Sequence, residues 1–264
     1  MTETIAVNGI DIAYQIDGPD DAPIVVMSNS LASNLSMWDA QVAALVPRYR
    51  VVRYDTRGHG QTSAPGGTYS IDLLVDDLIG LLDALGIKKS AFCGLSLGGM
   101  IGQQLGIAHA DRFTGLVLAD TISRWPEGAG VLWAGRIRAA RQQGMKALVS
   151  ATLERWFTPS FLEARPPEVE KIAQMIEATP VPGYAGCCDA ISKIDFTDQL
   201  SAITLPTLVI CGADDPATPV AASEVIHQNI AGSELAVIEQ ASHLANVEQP
   251  AAFGEALIGF LDRL

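Results

Sequence analysis

The chain has 264 residues, 48% of them hydrophobic and 18% charged, with a formal net charge of −13 at pH 7. That length and apolar content bury one substantial core without help from disulfides or metals. The acidity repels phosphate backbones and anionic membranes, and no run of Lys or Arg overcomes it locally, so neither nucleic acid nor membrane is an expected partner.

In chain order, two short strands are predicted over residues 3–7 and 10–15, joined by Asn8-Gly9, the pair that a type I′ hairpin prefers. A strand over 24–27, a helix carrying Trp38, Val42 and Leu45 at helical spacing, and a strand over 51–54 follow. Ser70 caps a helix that displays Leu74, Leu78, Leu81 and Leu85 on one stripe and stops at Gly86, after which comes a strand over 91–93. Beyond Gly98, a helix containing Gly99, Gly102 and Gly106 has few side chains to hold it off a sheet, and a strand over 116–119 returns. From about 122 to 193 the strands give way to helical stretches marked by Trp125, Trp133, Trp156, Phe157, Phe161 and a Pro166-Pro167 break. This segment reads as an inserted helical cap. Strand 207–211, a helix near 220–229, strand 235–238 and a last helix over 250–264 complete the chain.

The expected architecture is α/β, a mostly parallel central sheet flanked by helices. Its core is formed by residues 1–121 and 194–264, and the cap by 122–193. Function is expected at loops following the carboxyl ends of the strands. The apolar runs are strand-length, so no transmembrane helix is expected, and Met1-Thr2-Glu3-Thr4 lacks the basic and apolar pattern of a secretory leader. Cys93, Cys187, Cys188 and Cys211 lie in apolar contexts, two of them adjacent, which fits reduced thiols in a cytoplasmic protein.

Gly94-Leu95-Ser96-Leu97-Gly98 lies between an apolar strand and a helix, and its two glycines permit the sharp turn that lifts a strained serine above a sheet. A serine hydroxyl is a poor nucleophile near neutrality and needs a base, and the base needs an orienting group. His243 follows the last strand and is the candidate base. His59 in an Arg-Gly-His-Gly loop, His109 at a helix end and His227 within a helix read as structural or surface residues. The orienting acid is expected after strand 207–211, where Asp214 and Asp215 are both present. Asp215 is favoured by its spacing from Gly212, and Asp214 remains its rival as a turn residue.

Charge developing on an attacked carbonyl oxygen calls for preorganised backbone N–H groups, for which Leu97 and Leu31 are the candidates. Asn29 and Ser30 beside Leu31 are candidate substrate contacts or loop hydrogen-bonders. The stretch from Arg53 to Ser63, with its Asp55, Arg57 and His59, reads as structural.

With elbow, acid loop and histidine loop in that order, the chain resembles the α/β-hydrolase superfamily over nearly its full length. More narrowly it is similar to the 3-oxoadipate enol-lactonase family in several stretches. These are Ser28-Asn29-Ser30-Leu31, Trp133-Ala134-Gly135-Arg136-Ile137, Arg155-Trp156-Phe157-Thr158-Pro159, Gly183-Tyr184-Ala185-Gly186-Cys187-Cys188 and Asp215-Pro216-Ala217-Thr218-Pro219. The resemblance implies hydrolysis of an enol-lactone bearing a free carboxylate, in aromatic-compound catabolism, with no metal and no organic cofactor. An anionic lactone approaching so acidic a chain needs a local cation. Trp133 and Arg136 share a helix face, which makes Arg136 the candidate carboxylate ligand against the alternative of a surface salt bridge, while Arg138 and Arg141 face solvent. Other readings compatible with the same serine are a carboxylesterase, a cofactor-free perhydrolase and a carbon-carbon bond hydrolase. A small-molecule receptor of the same fold is the reading from another class. Oligomeric state is not legible.

Overall fold

In the computed structural model, which describes residues 1–264, eight strands form a single sheet. They are β1 (Glu3–Val7), β2 (Ile10–Asp17), β3 (Ile24–Ser28), β4 (Arg50–Tyr54), β5 (Ser90–Leu95), β6 (Phe113–Ala119), β7 (Thr207–Gly212) and β8 (Glu234–Ile238). Their order is β1-β2-β4-β3-β5-β6-β7-β8. The first two strands pair antiparallel through a turn in which Asn8 and Gly9 both have positive φ (49° and 75°), the geometry a type I′ turn requires. From β4 onward the pairings are parallel. The central strands are buried along their whole length, as expected when helices cover both faces.

The helices of the sheet layers are α1 (Asp39–Leu45), α2 (Ile71–Ala84) and α3 (Leu97–Ala108). Ser70 accepts the Leu73 N–H and starts α2, whose Leu74, Leu78 and Leu81 are all buried. Each such leucine stabilises the fold by about 1.5–3 kcal/mol relative to exposure. Gly102 and Gly106 let α3 lie against the sheet: a Cβ on Gly102 would sit 2.7 Å from Leu118, and one on Gly106 2.7 Å from Leu116. Trp38 departs from the expected pattern. It ends a 3₁₀ turn (Leu35–Trp38) ahead of α1, because Asn34 caps that turn by accepting the Ser36 N–H.

Between β6 and β7 the chain forms only helices: α4 (Ala129–Gln143), α5 (Val149–Trp156), α6 (Pro159–Ala164), α7 (Pro167–Ala178) and α8 (Val181–Ile191). An isolated bridge between Arg124 and Asp195 closes the neck of this excursion. Gly183 of α8 meets Gly58 so closely that a Cβ on Gly183 would lie 2.2 Å from the Gly58 carbonyl oxygen. The chain finishes with α9 (Val220–Asn229), α10 (Ala245–Glu248) and α11 (Pro250–Leu261), the last shorter than the expected 250–264. All four cysteines are free and buried, and no helix is long and apolar enough to cross a membrane.

Candidate active site

Ser96 occupies the turn between β5 and α3 with φ 56° and ψ −109°, a conformation rarely adopted by residues other than glycine and held here by its surroundings. Its amide donates to the Ala119 carbonyl at 2.8 Å, and Thr121 Oγ1 donates to its carbonyl at 2.9 Å. A Cβ on Gly94 would lie 2.1 Å from the Gly98 carbonyl oxygen, and one on Gly98 would lie 2.3 Å from the Ser28 carbonyl oxygen. Both positions therefore require glycine, and the second shows how tightly the turn is set against the end of β3.

His243 Nε2 lies 3.0 Å from Ser96 Oγ, and its Nδ1 lies 2.8 Å from Asp215 Oδ2. A carboxylate at Nδ1 keeps the proton on that nitrogen, which leaves Nε2 as the acceptor facing the serine hydroxyl. Asp215 also accepts the Ala217 and Thr218 amides at 2.7 and 3.0 Å and the Thr218 hydroxyl at 2.6 Å. Burial pushes this carboxyl up, but the opposing pull of His243 and the Thr218 hydrogen bonds leaves it below the usual carboxylate range. Asp214 is exposed, and its amide donates to the Ala241 carbonyl. Of the two adjacent acids, then, only Asp215 meets the imidazole. Asp120, at the end of β6, accepts the Gly212 amide. Its carboxyl is raised well above the usual range, chiefly by burial and then by Asp215.

The loop after β3 runs beside the serine. Leu31 N–H has no backbone acceptor, and Leu97 N–H stands at the first position of α3, where no earlier helical carbonyl can accept it. The amide end of α3 thus points its partial positive charge at the serine. Neighbouring Ala32 has φ 58°, and its amide donates to His59 Nε2 at 2.9 Å, while His59 Nδ1 faces the Arg57 carbonyl at 3.2 Å. Burial pushes the His59 ring down to about 4, so it is neutral and fixed in the tautomer that accepts from Ala32. Arg57 in turn grips Asp77 with two 2.6 Å hydrogen bonds. The Arg-Gly-His loop holds the Leu31 loop in place.

Asn29 is not a substrate contact. Its amide nitrogen donates to the carbonyls of Ser30 and Ser33, and its Oδ1 accepts from the Thr56 amide and hydroxyl, which leaves nothing to offer a ligand. Ser30 lines the cavity, and its hydroxyl has no protein partner.

That cavity encloses about 660 Å³, and Ser96 and His243 lie in its wall. Its lining is mainly apolar, with a few polar groups, as in small-molecule sites generally. The helical excursion contributes Trp125, Trp133, Arg136, Arg155, Trp156 and Tyr184. Arg136 lies over the Trp133 ring, 4.5 Å from its centroid. No salt bridge of the chain involves Arg136 or Arg155. The surface-pair alternative for Arg136 therefore fails. By contrast, Arg124 is spent on Asp195 and Asp198, and Arg138 and Arg141 are exposed.

Arg155 is a residue that sequence reasoning missed. It donates to Thr152 Oγ1 at 3.2 Å, and burial followed by the nearby Arg136 lowers its hold on its proton. Its signals in the sequence are the resembling stretch that it opens and its place one turn after Thr152 and next to Trp156, whose ring centroid lies 6.1 Å from that of His243.

The sequence matches the α/β hydrolase fold family over residues 23–250, and the chain belongs to that family. It is an enzyme of the carboxylic-ester hydrolase class. It is 41% identical over 261 residues to 3-oxoadipate enol-lactonase 2 of Acinetobacter baylyi, covering 99% of this chain and 97% of that relative. Among solved structures, the enol-lactonase from Burkholderia xenovorans LB400 superposes with a TM-score of 0.95 at 42% identity, covering 98% of this chain and all of that one. A thermophilic esterase from Thermogutta terrifontis, solved with malate bound, has a TM-score of 0.93 at 29% identity, covering 100% of this chain and 98% of its own.

Proposed function

We propose that the protein hydrolyses 3-oxoadipate enol-lactone, or a close carboxylate-bearing enol-lactone, to the open oxo-acid in the cytoplasmic catabolism of aromatic compounds. The observation that carries the reading is the pair Arg136 and Arg155. These two cations, free of acidic partners, share one apolar cavity with Ser96 and His243 in a chain of net charge −13. Such a pair suits an anionic substrate, and the similarity to enol-lactonases narrows its class.

In the proposed reaction His243 Nε2 takes the Ser96 proton as the oxygen attacks the lactone carbonyl, with Asp215 stabilising the imidazolium. The amides of Leu31 and Leu97 receive the oxyanion. Collapse breaks the ring C–O bond, and His243 returns its proton to the departing enol oxygen. The substrate is then an acyl-enzyme carrying an enol at its far end, and the enol converts to the ketone. This last step removes the group that would reclose the ring, which favours the forward direction. A water deprotonated by His243 then releases the acid from Ser96. Residues 122–193 serve in this reading as the cap that selects the substrate, through Trp133, Arg136 and Arg155, and Ser30 of the loop after β3 faces the same cavity.

The test is steady-state turnover of 3-oxoadipate enol-lactone beside simple aryl esters, with Ser96→Ala as control. A strong preference for the lactone, with activity lost by at least about 10³-fold in the variant, is expected. Equal kcat/KM on neutral aryl esters would overturn the substrate, and full turnover by Ser96→Ala would overturn the route.

A further inference from the structure

The tripeptide carrying His243 is fastened on both sides to the end of α5. Ser242 Oγ donates to the Arg155 carbonyl at 3.2 Å, and the Leu244 amide donates to the Trp156 carbonyl at 3.1 Å. Between the two segments sits Glu248 of α10, 6% exposed. Its Oε2 accepts the Ser242 amide at 2.9 Å, while its Oε1 accepts the Thr158 amide at 3.1 Å and the Thr158 hydroxyl. All of these donors are neutral. One buried carboxylate therefore joins the residue before the imidazole to the residue two past Trp156, and Arg155 in the same segment lines the cavity.

We infer that Glu248 is a positioning residue. It clamps the His243 loop to segment 155–158, so that the imidazole is aligned on Ser96 only while that segment of the helical excursion is docked. A buried carboxylate is costly unless several donors meet it. This one occupies a place where an apolar residue would leave the Ser242 and Thr158 amides unsatisfied. Glutamine is a partial substitute. With its oxygen toward Thr158, its NH₂ faces the Ser242 N–H, donor against donor. Turned around, it satisfies Ser242 and leaves the Thr158 amide without an acceptor. The histidine loop then has two competing arrangements in place of one. The inference rests on the reading of Ser96 and His243 as nucleophile and base, but not on the identity of the lactone.

The test measures p-nitrophenyl acetate hydrolysis by the full chain bearing Glu248→Gln or Thr158→Val, alongside Ser96→Ala, with Tm recorded for each. The neutral ester reports the alignment of His243 without engaging the arginines. The expected result for Glu248→Gln is a kcat lowered about 10- to 100-fold with KM within about twofold. Thr158→Val, which loosens the clamp from the other side, is expected to give a smaller fall in kcat in the same sense. If Glu248→Gln does not fold, Thr158→Val decides by the same criterion. Unchanged kcat in the folded variants, or a loss that appears only in KM or only in Tm, would overturn the inference. Full activity in Ser96→Ala would instead sink the underlying reaction, leaving the two failures distinguishable.

Discussion

His59 accepts the Ala32 amide at 2.9 Å from 27 residues further along the chain, so the loop presenting Leu31 hangs from a buried neutral ring. Protonation would turn that acceptor into a second donor facing an amide. Because the folded protein holds the ring down to about 4, the unfolded chain gains a proton first as pH falls below about 6.5. The contribution of His59 to stability is thus fully present above about 6.5. It is lost as pH falls toward 4, by on the order of 3 kcal/mol. Tm measured across that window should decline in the wild type and decline less steeply in a His59→Asn variant of lower overall Tm. Parallel curves would assign the acid transition to other groups.

The adjacent acids are separable by one substitution each. Asp215→Asn should lower kcat by about 10⁴-fold, because the amide no longer selects the imidazole tautomer that faces Ser96. Asp214→Asn, at an exposed turn position, should stay within about 0.5 kcal/mol in stability and close to wild type in turnover. Reversed effects in steady-state assays would exchange their roles.

Arg136→Met and Arg155→Met test the anion site. Each should raise KM for a carboxylate lactone about 10-fold or more while changing kcat/KM for a neutral aryl ester by less than about threefold. The double variant should fall short of the product of the singles, since the two guanidinium groups influence each other. Equal losses on charged and neutral substrates would remove both residues from carboxylate recognition.

Gly98→Ala is a severe change for a single methyl group. Its Cβ would meet the Ser28 carbonyl oxygen at 2.3 Å, and backbone cannot swing aside as a side chain can. A Tm loss corresponding to about 1–3 kcal/mol is expected, with kcat/KM reduced about 100-fold because the serine turn and the Leu31 loop move apart. Near-normal kinetics would show that the two segments tolerate separation.

The sheet was legible because each strand is a short apolar run bounded by turn residues, and the Asn8-Gly9 hairpin because its backbone needs two positive φ values. Ser96 and His243 were legible from their places after β5 and β8. Asp215 was favoured over Asp214 by its spacing from Gly212, but Asp214 stayed a rival, since two carboxylates in one turn differ only in which way the chain points them. Asn29 was legible as either a substrate contact or a loop hydrogen-bonder, and the choice was not, because its partner Thr56 comes from another loop. Arg155 stood in the sequence only inside a stretch that carries the resemblance, with no role attached, and Glu248 gave no pattern at all. Arg155 lines a cavity assembled by distant helices, and the Glu248 contact with Thr158 spans 90 residues.

The helical excursion leaves at β6 and returns at β7, strands that are hydrogen-bonded neighbours, through a neck closed at Arg124 and Asp195. Its two ends are thus nearly a single point on the sheet, and its length and content can change without altering any strand's register. If the proposed reading holds, the part that chooses the molecule can in this way be exchanged while the part that breaks the bond is kept. The Gly58–Gly183 contact sets a condition on that exchange. A replacement segment has to arrive with bare backbone at the position that faces Gly58, so only a subset of otherwise foldable inserts is compatible with this scaffold.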